Sequence, residues 1–216
     1  MKAQLIKEII FMALLTTCCI GASVFRLIYT DTKVFFFLNW NLFLAFIPWV
    51  ITSLAIIKPN IQKSKLSVFL ILSLWLLFFP NAPYILTDLF HLKSRPQIPI
   101  WFDLFFILIF AWTGLLFGFL SLWNIEIILS RYLSKLSISI ISSLLLFVGS
   151  FGIYLGRYLR WNSWDLLTEP MVLIYDIGDR IINPFHHPRA WGMTFAFGLL
   201  LNIIYWSFKL IRERES

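Results

Sequence analysis

Pro80-Asn81-Ala82-Pro83-Tyr84-Ile85-Leu86-Thr87-Asp88-Leu89-Phe90-His91-Leu92 interrupts an apolar run with two prolines, an asparagine, an aspartate and a histidine. How this stretch is read decides the fold. Residues 66–79 before it make only about 21 Å of helix at 1.5 Å per residue, and a bilayer core is roughly 30 Å thick. A span beginning near residue 66 must therefore draw part of the proline stretch into the membrane, or tilt where the bilayer thins. This shortness favours placing Asn81 and Tyr84 below the headgroups. Ionisable side chains at that depth read as a functional site.

Three conformations fit the stretch. If it is helical from about Ala82, then Tyr84, Asp88 and His91 share one face at i, i+4 and i+7, with Thr87 beside them. Asn81 then caps the helix, and Pro83 in its first turn costs nothing. Alternatively, a membrane helix ends at Pro80 and a surface helix with one wet side follows. The third possibility is a proline kink inside one long helix, which frees backbone carbonyls.

Composition settles the class. The 216 residues are 60% hydrophobic, 19% aromatic and 13% charged, with mean hydropathy +0.83. Soluble domains are about half apolar and about a quarter charged. The chain reads as one integral membrane domain, all-α: a polytopic bundle of about six spans plus one or two short interfacial helices. Nucleic-acid binding is not implied by the net charge of +7, because the basic residues sit at the ends of apolar runs. Cys18 and Cys19 are adjacent in an apolar run and read as packing residues, with no disulfide framework. No signal-peptidase site stands out, so the first segment reads as a retained anchor.

The spans fall at about 9–29, 34–57, 66–86, 100–128, 136–158 and 190–210. Pro48 bends the second. The hinge at 93–99 carries Lys93, Arg95, Pro96, Gln97 and Pro99. Gly114 and Gly118 in the fourth span allow close helix approach. Ser139, Ser143, Gly149, Gly152 and Gly156 make a stronger small-residue face in the fifth. Thr168-Glu169-Pro170 reads as a helix start with Thr168 as cap. Residues 171–182 are too short to span and suit the interface, with Asp176 and Arg180 paired at i, i+4. Six spans put both termini on one side. With that side cytoplasmic, 10 of the 18 basic residues, Arg214 among them, lie inside. The expected location is the cell membrane, with lipid as the surrounding partner.

That topology gathers His91, His186, His187, Asp88, Asp103, Arg157, Arg160, Asn162, Asp165, Asp176 and Asp179 on the extracytoplasmic side. Arg157 and Arg160 at i, i+3 can converge as a fork for phosphate or carboxylate, or can snorkel to headgroups or pair with Asp88 and Asp165. Asn81, Tyr84, Arg157, Arg160, Asn162 and Asp165 are the candidate substrate-binding residues. Asp88 and His91 are the candidate catalytic pair, Asp88 orienting His91 as base with Ser163 or water as nucleophile. No nucleophile elbow accompanies them. His91, His186 and His187 are candidate metal ligands, but no zinc motif spacing is present and no cofactor is expected.

The run Pro80–Leu92, together with Leu155-Gly156-Arg157-Tyr158-Leu159-Arg160-Trp161-Asn162-Ser163-Trp164-Asp165, resembles the signature of a family of bacterial multi-pass membrane proteins known as a domain of unknown function. The resemblance covers about residues 39–206. It implies a multi-pass fold and that both polar stretches belong to one site. Three functions then compete. The first is binding or processing of an anionic lipid-linked substrate. The second is a noncatalytic accessory protein whose polar loops dock a partner. The third is a small-solute transporter, for which no internal repeat is visible.

Overall fold

The computed structural model describes residues 2–95 and 98–213, so Pro96 and Gln97 of the hinge and Arg214 of the basic count lie outside it. The helices are α1 Lys2–Thr30, α2 Phe37–Ile57, α3 Lys65–Phe78, α4 Asn81–Tyr84, α5 Ile100–Leu129, α6 Lys135–Tyr154, α7 Asp165–Thr168, α8 Pro170–Ile182 and α9 Pro188–Glu213. Among the described residues there is no strand, only one isolated bridge between Arg95 and Ile98. Six helical stretches are long and apolar enough to cross a membrane, and the third runs from Lys65 to His91. The expected all-α polytopic bundle is what the chain forms.

Helix α5 is the axis. Of its most apolar window 72% is buried, against 17% for α1. A continuous apolar helix is the form a bundle's central element takes, because it is covered on every side. Its few polar groups meet partners: Trp75 Nε1 donates to Ser121 Oγ at 2.9 Å, and Asn124 Nδ2 lies 3.3 Å from Thr52 Oγ1. Helix α2 packs along α5, with α1 and α3 on its flanks. Helices α6 and α9 form a second block, tied by Trp206 Nε1 donating to Ser143 Oγ at 3.1 Å.

The proline stretch is the joint between the blocks. Phe79 and Pro80 keep helical dihedrals (φ −53°, ψ −41° and φ −59°, ψ −25°), so the chain runs from α3 into α4 without a fresh helix start. Asn81 therefore does not cap a helix, contrary to the expectation from sequence, and is itself the first residue of α4. Pairing has slipped: the Ala82 N–H goes to Phe79 O, one residue short, and Asn81 Nδ2 turns back to the Phe78 carbonyl at 2.9 Å. Glycines on α5 and α6 hold the joint from both sides. A Cβ at Gly114 would lie 2.9 Å from Ala82 O, and one at Gly152 would lie 2.6 Å from Pro80 Cγ. The small-residue faces of spans four and five thus receive the proline turn itself.

Helix α8 starts at Pro170, as the sequence suggests, but Glu169 occupies the cap position and Thr168 closes α7. Its inner side carries Leu173, while Met171, Tyr175 and Ile182 face outward. The expected Asp176–Arg180 pair forms at 2.9 Å.

Candidate functional site

Two departures from α-helical geometry face each other at the end of the bundle where α3 and α6 finish. On one side, Ile85–His91 winds as a 3₁₀ helix. Three residues per turn stack i over i+3, which puts Asp88 directly beneath His91. On the other, Leu155–Leu159 is a π turn, and Arg160 after it is left-handed at φ 62°. Runs of this kind are uncommon and concentrate at functional positions. A non-glycine residue with positive φ is strained unless its surroundings hold it.

Arg157 in the π turn closes the gap. Its Nη2 donates to Asp88 Oδ1 at 2.5 Å, its Nε to Thr87 Oγ1 at 2.8 Å, and its Nη1 meets His91 Nε2 at 2.9 Å. The guanidinium lies 4.3 Å from the centre of the Tyr84 ring. Asn41 Nδ2, from α2, donates to the second Asp88 oxygen at 2.9 Å. The Asp88 side chain is 1% exposed and that of Arg157 11%. A guanidinium only donates, so His91 Nε2 accepts here. Asp88 and His91 are thus bridged by Arg157 and are not hydrogen-bonded to each other. Ser163 stands elsewhere, donating to Leu77 O at 2.9 Å and accepting from Asn81 Nδ2 at 3.0 Å.

The other candidates divide. The Arg160 side chain is exposed and meets no hydrogen-bond or ion-pair partner among the described residues. Its left-handed backbone carries it past the helix end, and Arg157 turns inward, so the two guanidiniums do not act as a fork. Asp165 folds back on its own loop, accepting from the Asn162 N–H at 2.6 Å and from Asn162 Nδ2 at 3.1 Å. His187 Nε2 is 2.7 Å from Asp179 Oδ2, and His186 is exposed. The Asp179 carboxyl is held below the ordinary carboxylate value by hydrogen bonds from Asn183 and then His187. Among the described residues no three His, Cys, Asp or Glu side chains group to hold a metal ion.

Beside the cluster lies a cavity of about 830 Å³ in the seam between the two blocks. Leu44 and Leu76 wall one side, Phe147 and Phe151 the other, and Leu173 and Ile177 of α8 cover it. Asn41, Asn81, Tyr84, Asn162 and Ser163 form its polar mouth. From Leu144 to Gly156 it follows α6 for about 18 Å at 1.5 Å per residue.

A protein-family model described as "Protein of unknown function (DUF1361)" matches residues 40–204. The chain belongs to the DUF1361 family. Both halves of the cluster, and the cavity, lie inside the matched region; the whole of α1 lies before it. No curated protein and no solved structure matches this DUF1361 chain.

Sequence reasoning missed Asn41 as an Asp88 partner, although an asparagine just inside an apolar run was a usable signal. It also missed a second buried pair. Arg26 Nε donates to Asp103 Oδ1 at 3.0 Å, and Arg95 Nη1 to Asp103 Oδ2 at 2.6 Å. Glu126, buried in the last turn of α5, was passed over as well. It accepts from Ser142 Oγ and Lys209 Nζ, both at 2.7 Å. Nothing in residue spacing announces these pairs, because each joins separate helices.

Proposed function

We propose that this protein binds an anionic lipid-linked amphiphile at the outer face of a cell membrane, with the ligand's hydrocarbon in the 830 Å³ cavity and its anion at the Arg157 rim. The observation that carries this reading is the juxtaposition of the two. A long apolar cavity opens at a polar mouth, and Asn41 and Tyr84 belong both to that mouth and to the Arg157 cluster. Pockets of a few hundred to about 1,000 Å³ with few converging polar groups are the usual form of a small-ligand site. The size of the cavity fits a chain; its position at the end of the apolar spans fits entry from the bilayer.

Arg157 is not a free cation. Asp88 neutralises it, and three of its five N–H groups are engaged. Two remain, enough to hold an anion by charge-assisted hydrogen bonds. Asp88 and Asn41 fix the guanidinium in place, and exposed Arg160 supplies attraction at the surface. No proton-transfer step is assigned to His91, whose Nε2 is occupied by Arg157.

Native mass spectrometry of the full chain, extracted in mild detergent, tests the proposal. Wild type is expected to carry one lipid. Val148→Trp fills the cavity and is expected to release it, while Arg157→Lys reduces occupancy. If wild type and Val148→Trp carry the same adducts, the cavity is not a ligand site and the proposal fails.

A further inference from the structure

The cavity mouth specifies more than an amphiphile. Among the described residues no Asp, Glu, His, Lys or Arg lines the cavity, so charge on the ligand stays outside it. Three amides form the mouth, and each has its N–H₂ group fixed by a partner that can only accept. Asn41 Nδ2 faces the Asp88 carboxylate at 2.9 Å. Asn81 Nδ2 faces the Phe78 carbonyl at 2.9 Å. Asn162 Nδ2 faces Asp165 Oδ2 at 3.1 Å and the Arg160 carbonyl at 3.4 Å. Those partners leave no choice of amide orientation, because a carbonyl or carboxylate oxygen cannot donate.

The consequence is that all three Oδ1 atoms are left as acceptors. None takes a hydrogen bond from another described residue, and none is a sealed, partnerless buried atom. Ser163 has already given its proton to Leu77 O, so it too offers only a lone pair. Trp161 and Trp191 direct their indole N–H groups to Asp176 and to the Arg180 carbonyl. The side-chain donors left at the mouth, among the described residues, are Trp40 Nε1, the Tyr84 hydroxyl and the second N–H of the Asn41 amide. A bare phosphate, which at neutral pH is almost wholly acceptor, would face three amide oxygens. A group rich in O–H would satisfy them.

Resting on the amphiphile reading above, we infer that the ligand's head carries a hydroxylated group, a polyol or a sugar, that donates to Asn41, Asn81 and Asn162. Its anion, if borne on the same head as a phosphodiester, reaches Arg157 beyond the mouth. The amides choose the hydroxyls and the guanidinium accepts the charge, so the site discriminates by hydrogen-bond direction. A site built to pair a hydroxyl rejects the analogue lacking it, because its own polar groups are then left unpaired.

The test uses the full chain in phosphatidylcholine vesicles doped, in parallel, with phosphatidylglycerol, glucosyl-diacylglycerol or phosphatidic acid of matched acyl chains. Retained lipid is read by native mass spectrometry after extraction. Phosphatidylglycerol and glucosyl-diacylglycerol are expected to be enriched about tenfold over phosphatidic acid, in line with the size of such discriminations. Asn162→Leu, on an exposed loop, is expected to shrink that ratio several-fold. Phosphatidic acid retained as well as phosphatidylglycerol, and still displaced by Val148→Trp, overturns the hydroxyl inference and leaves the amphiphile reading standing. Equal retention of every lipid, unchanged by Val148→Trp, overturns both.

Discussion

Arg157 and Asp88 stand 69 residues apart in sequence and meet at 2.5 Å, joining the π turn after α6 to the 3₁₀ run after α4. Each partner is satisfied by neutral groups as well: Thr87 for the arginine, Asn41 for the aspartate. The pair therefore ties three helical elements across the seam that contains the cavity.

Breaking that pair from one side strands a charge. Asp88→Leu leaves Arg157 facing Thr87 and His91 alone, and is expected to cost about 3–5 kcal/mol. Arg157→Met strands Asp88 and costs a similar amount. The double substitution removes both charges, so it is expected to recover a large part of either loss. Thermal unfolding in detergent, arranged as a double-mutant cycle, measures the coupling. Additive losses would mean the two side chains do not act as a pair.

The glycine faces set the height of that pair. Pro80 is rigid, and a methyl on Gly152 would come within 2.6 Å of its ring. Gly152→Ala is expected to push α6 off the joint and destabilise by about 1–3 kcal/mol. Gly192→Ala has nothing within 4 Å to meet and serves as the control. Unfolding midpoints that move equally for both would remove the close-approach argument.

The bundle was legible because its signal is long: apolar runs of twenty or more residues cannot be much else. Shortness of the run before Pro80 left two options, a span that draws in the prolines or one that tilts in a thinned bilayer, and the third helical stretch does continue through the prolines to His91. Asp88 and Arg157 could be suspected, since each is an ionisable group at the end of an apolar run. Which side chain faces which could not. The expected α-helical face of Tyr84, Asp88 and His91 rests on 3.6 residues per turn, and the chain uses a 3₁₀ run there, a switch that local composition does not encode. The cavity is still less legible, because it is the space between two blocks and belongs to no segment. Glu126 and Arg26 were missed for a related reason: an ionisable residue near the end of a long apolar helix looks incidental until its partner arrives from another helix.

The loop joining α8 to α9 carries a pH dependence of known sign. Asp179 accepts from Asn183 Nδ2 at 2.8 Å and meets His187 Nε2 at 2.7 Å, and these bonds lower its pKa. A carboxyl with a lowered folded value adds stability that is full above its unfolded value, about 4, and is lost as pH falls through the lower folded one. The 183–187 loop is expected to stay protected at pH 5–7 and to open below about pH 4. Asp179→Asn is expected to flatten that dependence. Hydrogen exchange of peptides spanning the loop, followed against pH, decides it.

We propose from the basic residues at helix ends that both termini are cytoplasmic, and labelling tests that orientation. His186→Cys, exposed between α8 and α9, is expected to react with a membrane-impermeant maleimide on intact cells. Ser134→Cys, at the α5–α6 turn, is expected to react only after the membrane is opened. The reverse pattern would put the cavity mouth on the cytoplasmic side.

The far end of the bundle has its own staple, and it holds α9. Lys209 Nζ lies 2.7 Å from Glu126 Oε2 and 4.7 Å from the centre of the Trp206 ring. Ser142 completes the carboxylate from α6. Three helices thus converge on one buried glutamate. Lys209→Met removes the only cation paired with Glu126 among the described residues and is expected to destabilise by about 3 kcal/mol. Adding Glu126→Gln removes the stranded charge and is expected to restore most of that loss, because Ser142 can still donate to the amide oxygen. The site end should not notice: lipid occupancy, read by native mass spectrometry, is expected to stay at the wild-type level in the double variant. A fall in occupancy there would mean the two ends of α6 and α9 are coupled through the cavity between them.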